Sequence, residues 1–363
     1  MGCGRSRLVS RATALSDLPP EPRASSGAHR WSALARPSPR SAWIPLVYWL
    51  IVLLEGAVWG AMRLGDAMVI PTLLAYGARW IWLVPVVALA PLALWRRSLG
   101  LPLAVALAVW LLGIMQFQLP HFAVAPACCR VTVVTLNGNK DARPESFRQV
   151  VDAAQPDIVA MQEWEQTSIA SALPGWTVQC DGELCLGSRR PMSKVAVLSV
   201  PKPNGSRAMV MTAEITTEAG PVAFFSIHLD TVRKGIEPML HAGFGATDEL
   251  RENLVFRDRE SRAAAAWIVA HSAHPAVVAG DFNMPTDSAI YRRNWSNWSD
   301  AFESAGTGLG HTKFTSLWGI RIDHVLFDAN WQAVRARVGP DVGSDHRPLI
   351  VTLQRAASAV RGN

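Results

Sequence analysis

The stretch Pro275-Ala276-Val277-Val278-Ala279-Gly280, followed by Asp281-Phe282-Asn283, most limits what this chain can become. A short apolar run of β type ends on a glycine and at once presents a carboxylate and a carboxamide. This is how a buried strand delivers polar groups to the edge of a sheet. The same device recurs where residues 131–135 lead to Asn137, 158–161 to Glu163, and 222–227 to His228. Ile322-Asp323-His324-Val325 sets polar groups inside such a run, and Ser344-Asp345-His346-Arg347-Pro348 stands just before Leu349-Ile350-Val351. Acids, amides and imidazoles gathered at strand ends point to a divalent-metal site that handles phosphate.

Six of these segments also carry a resemblance. Thr135-Leu136-Asn137, Gln162-Glu163, Ser226-Ile227-His228-Leu229, Gly280-Asp281-Phe282-Asn283, Ile322-Asp323-His324-Val325 and Ser344-Asp345-His346-Arg347-Pro348 resemble, in order, the motifs of the endonuclease/exonuclease/phosphatase superfamily. That superfamily spans DNase I-like nucleases, abasic-site endonucleases, sphingomyelinases and inositol-phosphate phosphatases. The resemblance covers roughly residues 130–353. It implies an α/β (α+β) fold, a four-layered DNase I-like sandwich of two β-sheets flanked by helices.

The front third of the chain is different in kind. The hydrophobic fraction of 50% is high, and the excess lies near the start. Residues 42–62 form an apolar run broken only by Glu55. Residues 80–95 are uncharged between Arg79 and Arg96-Arg97, and the run extends back through 67–78 if Arg79 is tolerated; residues 99–120 are uncharged throughout. Runs of about 20 apolar residues match a bilayer core. The expectation is three transmembrane helices within residues 42–120, with Trp43, Trp80, Trp95 and Trp110 as interfacial anchors. Residues 1–41, rich in Ser, Pro, Ala and Arg, read as a disordered basic cytoplasmic tail. Residues 121–129 read as a linker, 130–355 as the catalytic domain and 356–363 as a C-terminal tail.

Charge sets orientation and bears on partners. Residues 1–41 carry seven arginines against Asp17 and Glu21, and Arg96-Arg97 mark the second short loop. The positive-inside bias puts the N-terminus in the cytoplasm of a multi-pass plasma-membrane protein and the catalytic domain on the extracytoplasmic face. Most of the net charge of +6 thus belongs to the tail, and the catalytic region is close to neutral. Sequence-independent binding of nucleic acid needs a basic footprint, which is missing. Cys180 and Cys185 flank an Asp-Gly turn, so a disulfide across a hairpin is expected in an oxidising exterior.

Phosphoester hydrolysis needs neutralised phosphate charge, an activated water and a stabilised leaving oxygen. Mg²⁺ or Mn²⁺ suits the first need, held by one or two carboxylates. Glu163 is the first choice of ligand. Asn137 is a neutral group that orients the metal or a phosphate oxygen, and Asp345 is a second metal contact or water orienter. Asp281 and Asn283 lie two apart and face one side of an extended segment. Asp281 orients or deprotonates the attacking water, and Asn283 binds phosphate oxygens. His346 holds phosphate or moves a proton, with Asp323 matching the family position of its partner. His228 binds phosphate opposite His346, while His324 faces away.

These readings lead to a membrane-anchored, metal-dependent phosphoesterase acting on a phosphate mono- or diester or pyrophosphate, either lipid-linked beside the bilayer or a small phosphate. The order of membrane helices and catalytic domain is similar to actinomycete membrane proteins associated with glycopeptide-antibiotic resistance, to which action on lipid-pyrophosphate carriers is ascribed. The alternatives are an extracytoplasmic nuclease acting on DNA or RNA, and a non-catalytic membrane scaffold. Only Tyr291 among the three tyrosines lies in the catalytic region, so no tyrosine matches the one that nucleases of the superfamily often use. The intact polar set argues against the scaffold. Residues 1–120 read as an anchor, whose removal is expected to leave hydrolysis of a soluble phosphoester largely intact.

Overall fold

The computed structural model describes residues 43–120, 129–202 and 205–356. The basic tail 1–41, all of the linker except Cys129, and the C-terminal tail beyond Ala356 lie outside the described residues.

The apolar front forms α1 (Trp43–Met62), the short α2 (Val69–Tyr76), then α3 (Val84–Trp95), entered through a 3-10 turn at Arg79–Leu83. After Arg97–Leu99 comes α4 (Gly100–Ala108), which runs on as a π-helix through Val109–Ile114. Trp43–Met62 and Arg97–Ile114 are each long and apolar enough to cross a membrane. The middle segment differs from the collinear extension that the sequence allows. Val69–Tyr76 and Arg79–Trp95 meet at 88°, so α2 turns aside from the helix that follows. Gly77 sits at the break, where no helical hydrogen bond needs to continue. The last apolar run also stops short, and Gln118 pairs with Gly308 of the catalytic region through both backbone groups.

The remainder contains β1 (Arg130–Asn137), α5 (Pro144–Ala154), β2 (Ile158–Gln162), α6 (Gln166–Ala172), β3 (Thr177–Asp181) and β4 (Leu184–Ser188). These are followed by β5 (Met192–Lys202), β6 (Gly205–Thr217), β7 (Gly220–His228), α7 (Arg233–Ala242), α8 (Thr247–His271), β8 (Ala276–Asp281) and α9 (Ala289–Trp295). The closing elements are β9 (Ser299–Asp300), α10 (Ala301–Ala305), the ribbon β10 (Lys313–Phe314) and β11 (Gly319–Ile320), β12 (Asp323–Phe327), β13 (Trp331–Val338) and β14 (Leu349–Arg355). Six strands join in the order β13-β14-β1-β2-β4-β3, and six more in the order β5-β6-β7-β8-β12-β9.

Apolar side chains explain the layering. Val133, Ile158, Leu186 and Val351 of the first sheet pack with Phe224, Val277 and Val325 of the second, forming the core between sheets. The outer face of the second sheet, with Phe225, Val278 and Leu326, is covered by Ala264 and Ile268 of α8 and by Ile290 and Trp295 of α9. On the first sheet, Val134, Val159 and Met161 are covered by Phe147 and Val151 of α5 and Ile169 of α6. Each fully buried Val, Ile, Leu, Met or Phe side chain among them contributes about 1.5–3 kcal/mol relative to exposure. The result is helix, sheet, sheet, helix.

The hairpin β3–β4 sets Cys180 directly opposite Cys185, and a disulfide joins them. Helix α8 begins at Thr247, where Asp248 and Glu249 in its first turn favour that start through the helix dipole. Strand β13 pairs with β14 along its length. It is an edge strand whose alternation is broken by a bulge between Ala333 and Arg335.

Candidate active site

Strand register assembles the polar residues. In the second sheet, His228 pairs with Asp281 across the parallel β7–β8 ladder, and Asp281 pairs with Asp323 across the antiparallel β8–β12 ladder. The three therefore stand side by side at one sheet edge. In the first sheet, Asn137 is level with Gln162, and Glu163 follows at once. Gly280 makes this approach feasible. Its φ is +152°, and a Cβ there would lie 2.0 Å from Ile227 O, so no other residue fits the strand end.

The two sheets meet at Asn137. Its Nδ2 donates to Glu163 Oε1 at 3.0 Å and to Asp281 Oδ2 at 3.0 Å, while its Oδ1 accepts from Asn139 N at 2.8 Å. Asn283, held at φ +52°, donates its backbone N–H to Asp281 Oδ1 at 2.8 Å. The Asn283 amide nitrogen lies 2.8 Å from Leu229 O and 3.2 Å from Asp281 Oδ2. Both asparagines thus fix the Asp281 carboxylate. The amide of Asn283, expected to reach phosphate, is turned to that carboxylate instead.

His346 lies opposite. Its Nδ1 is 2.8 Å from Asp323 Oδ2, and its Nε2 is 3.8 Å from Asp281 Oδ2 and 3.9 Å from Asp345 Oδ1. His228 Nε2 is 3.4 Å from Glu163 Oε1 and 4.0 Å from Asp281 Oδ2. Every residue singled out by the strand-end pattern thus enters one cluster, except His324. His324 points to the other face, between Asp300 and Met284 O.

Burial differentiates the titrating groups. Burial first, and the nearby Asp323 charge second, push the Asp281 carboxyl up to about 7, against the pull of His346 and the hydrogen bonds from Asn137 and Asn283. Burial also acts on Asp323, but His346 and the hydroxyl of Thr312 outweigh it and hold its carboxyl below the ordinary range. The same pair raises His346 above its ordinary value, although burial opposes the charge. His228 goes the other way: burial, then the Arg207 and His346 charges, lower it to about 3. The site therefore holds one imidazole that favours its charge and one that stays neutral.

The donor set fits a hard divalent cation. Asp281, Asp323 and His346 each offer a ligand atom, and these atoms lie within 4.8 Å of one another. Asp323 Oδ1 and Asp345 Oδ1 are buried oxygens with no hydrogen-bond partner, which a cation or its waters would satisfy. Oxygen-rich coordination suits Mg²⁺ or Mn²⁺. The other oxygen of Asp345 is taken up by Lys313 in an ion pair, so only one side of that carboxylate faces the cluster.

The profile of the Endonuclease/Exonuclease/phosphatase family matches residues 134–346, more than half of the chain. The chain belongs to this family. It is accordingly a hydrolase of phosphoester bonds in a divalent-metal-dependent family. The two six-stranded sheets with outer helices are the DNase I-like fold. Similar solved structures include the family protein of Bacteroides vulgatus, at 18% identity over 62% of this chain and 99% of that one, TM-score 0.49. The mannosyl-6-phosphatase Bt3783 of Bacteroides thetaiotaomicron VPI-5482 is 19% identical over 61% and 99%, TM-score 0.44. A truncated TDP2 of Caenorhabditis elegans is 16% identical over 62% and 98%, TM-score 0.47. No curated protein matches the chain.

Several residues near the site escape the strand-end pattern. Lys313 lies beside Asp345, and Thr312 Oγ1 accepts from Asp323 N at 3.1 Å. Arg207 Nη1 donates to His228 O at 2.6 Å. Arg257 Nη2 donates to Asn283 O at 2.7 Å. Nothing separates Arg257 in sequence from the other arginines of α8; only its burial does.

Proposed function

We propose that this family member is a membrane-seated phosphoesterase that uses Mg²⁺ or Mn²⁺ to hydrolyse a lipid-linked phosphate ester or pyrophosphate on the extracytoplasmic face. The observation that carries the reading is the contact between the membrane-proximal segment 63–79 and the loop that follows Asp281. Tyr76 Oη is 3.3 Å from Asn283 O, and Arg79 Nη2 is 3.0 Å from Asp287 Oδ1. A site joined to the ends of apolar helices is within reach of a head group, and tethering raises the effective concentration of such a substrate. The contact also supports a topology in which the first interhelical segment and the catalytic domain share one side. The arginine bias makes that side extracytoplasmic.

The roles follow from geometry. A bound cation supplies neutralisation of phosphate charge. Glu163, which shares Asn137 Nδ2 with Asp281, and the free oxygen of Asp345, 3.9 Å from His346 Nε2, are the groups that would hold it. They stand at the margin of the cluster, leaving Asp281 and His346 to the water and the phosphate. Asp281, fixed by two asparagines, orients the attacking water and takes its proton. His346, kept cationic by Asp323, holds the phosphate oxygens as charge builds up. Neutral His228 donates a hydrogen bond from the opposite side.

Full-length protein in liposomes is tested on plasmid DNA, sphingomyelin, a polyprenyl pyrophosphate and a soluble phosphodiester, each with Mg²⁺ and with chelator. The lipid phosphates are expected to turn over fastest, and only with cation. Preference for DNA would replace this reading with the nuclease one, and turnover in excess chelator would reject the cation. Glu163→Ala should raise the Mg²⁺ needed for half-maximal rate by roughly tenfold or more, with little change in melting, since the residue stands at the rim of the site. A C-terminal phosphatase reporter, active only outside the cytoplasm, is expected to be active; silence there, with activity in a cytoplasmic form, would overturn the sidedness.

A further inference from the structure

The loop that carries Asn283 away from β8 is built differently from an ordinary surface connection. Met284, Pro285, Thr286, Asp287 and Ser288 are all buried, although connecting loops normally run over the surface. Met284 packs in the core beneath α8 and α9, and Thr286 meets Arg321. The side of the loop at Asp287, Ser288 and Ala289 is met by the segment between α1 and the 3-10 turn at Arg79. Gly65 O accepts from Ala289 N at 2.9 Å. Asp66 accepts from the Ser288 hydroxyl and pairs with Arg257. Tyr76 Oη lies 2.7 Å from Asp66 Oδ2, and Arg257 Nη2 donates to it at 2.9 Å. Arg79 pairs with Asp287.

Arg257 is the hub. Beyond Asp66 and Tyr76, it donates from Nη2 to Asn283 O at 2.7 Å and from Nε to Asp230 O at 3.0 Å. It therefore ties together the two loops that leave β7 and β8. Its side chain is 1% exposed and that of Asp66 fully buried, so each charge depends on the other. The strap itself is fixed. Asp66 adopts φ +65° and donates its N–H to Thr72 Oγ1 at 2.8 Å. Val69, Leu73 and Tyr76 of α2 pack against Val232, Met239, Leu250 and Leu254.

We propose that the segment 63–79 is a positioning strap for the active site, in which Asp66 and Tyr76 act through Arg257 to set Asn283 and, through it, the Asp281 carboxylate. The segment joins two apolar helices, so the seating of those helices and the geometry of the site become one arrangement. Asp66, Tyr76 and Arg257 are positioning residues and touch no substrate. The proposal rests on the phosphoesterase reading only for one of its two readouts.

The first readout needs no turnover. In full-length protein in lipid nanodiscs, hydrogen exchange is followed at the amides of residues 282–289 in wild type, Asp66→Asn and Tyr76→Phe. Tyr76→Phe keeps the ring packing and so guards against a simple folding defect. Exchange there is expected to rise about tenfold or more in both variants, with β7 and β14 unchanged. Unchanged exchange at 282–289 in Tyr76→Phe, or an equal rise throughout the domain, would overturn the strap. The second readout is kinetic, on the soluble phosphodiester. Asp66→Asn is expected to lower kcat about tenfold or more with KM and Mg²⁺ requirement within about twofold of wild type. In an Arg257→Gln background the same substitution should cost less than about twofold, because its route to Asn283 O has been cut. An equal loss in both backgrounds would mean that Asp66 acts on stability alone. If wild type fails to turn over the probe, the functional reading is what falls, and the exchange result still decides the strap.

Discussion

Asp281→Asn and His346→Gln are each expected to lower kcat on a soluble phosphodiester by roughly a thousandfold, and the double variant should be little worse than the poorer single one. The two side chains face the same space, with His346 Nε2 3.8 Å from Asp281 Oδ2. One is to take a proton from water while the other holds the charge that forms, so removing either makes the other useless. Independent contributions would instead multiply, and a double variant near a millionfold loss would reject the unit. Melting of all four proteins controls for folding. Asp323 adds a pH signature. It lies 2.8 Å from His346 Nδ1 and raises the imidazole above its ordinary value, against burial. Activity that needs the charged imidazole is lost as pH rises through that raised value. Asp323→Asn removes the support, so the alkaline fall should move to lower pH; a profile that stays in place would show that His346 does not act as a cation.

The strand-end residues were legible because a strand has period two and a sheet has register. A run such as 275–280 has one buried way to lie, and whatever follows it must emerge at the edge. His228, Asp281 and Asp323 are then level by pairing alone. Direction of the amides was not legible. Asn283 was expected to meet phosphate, but its nitrogen is engaged by Leu229 O and Asp281. The choice depends on which acceptor lies nearest in space. Lys313 beside Asp345 was missed for the same reason, since β10 is too short to show a periodicity. In the front third, hydropathy reports length and polarity only. It could not show that α2 departs at 88° from the next helix, nor that Asp66, one acid among apolar residues, finds Arg257 in α8. The tyrosine beside the site is Tyr76, from the segment assigned to the membrane, and Tyr291 instead points to Asp300.

Those contacts reverse the expectation for a truncated enzyme. A chain lacking residues 1–120 should lose hydrolysis of the soluble phosphodiester by about tenfold or more, as well as action on a bilayer-embedded lipid phosphate. Truncation removes Asp66 and Tyr76 from Arg257 and Arg79 from Asp287, and exposes Val232, Met239, Leu250 and Leu254, on which α2 packs. The loop 283–289 then loses the partners of Asn283 O, Asp287, Ser288 and Ala289 N that the segment 63–79 supplies. Asp281 depends on Asn283 for two of its hydrogen bonds, so its orientation should loosen with the loop. The sandwich core lies elsewhere, between the two sheets, and should survive. Near-ultraviolet circular dichroism of the truncated chain is thus expected to remain folded while its kcat falls. Retention of the full rate on the soluble substrate would show that the catalytic domain sets its own geometry, and the apolar helices would then be an anchor and nothing more.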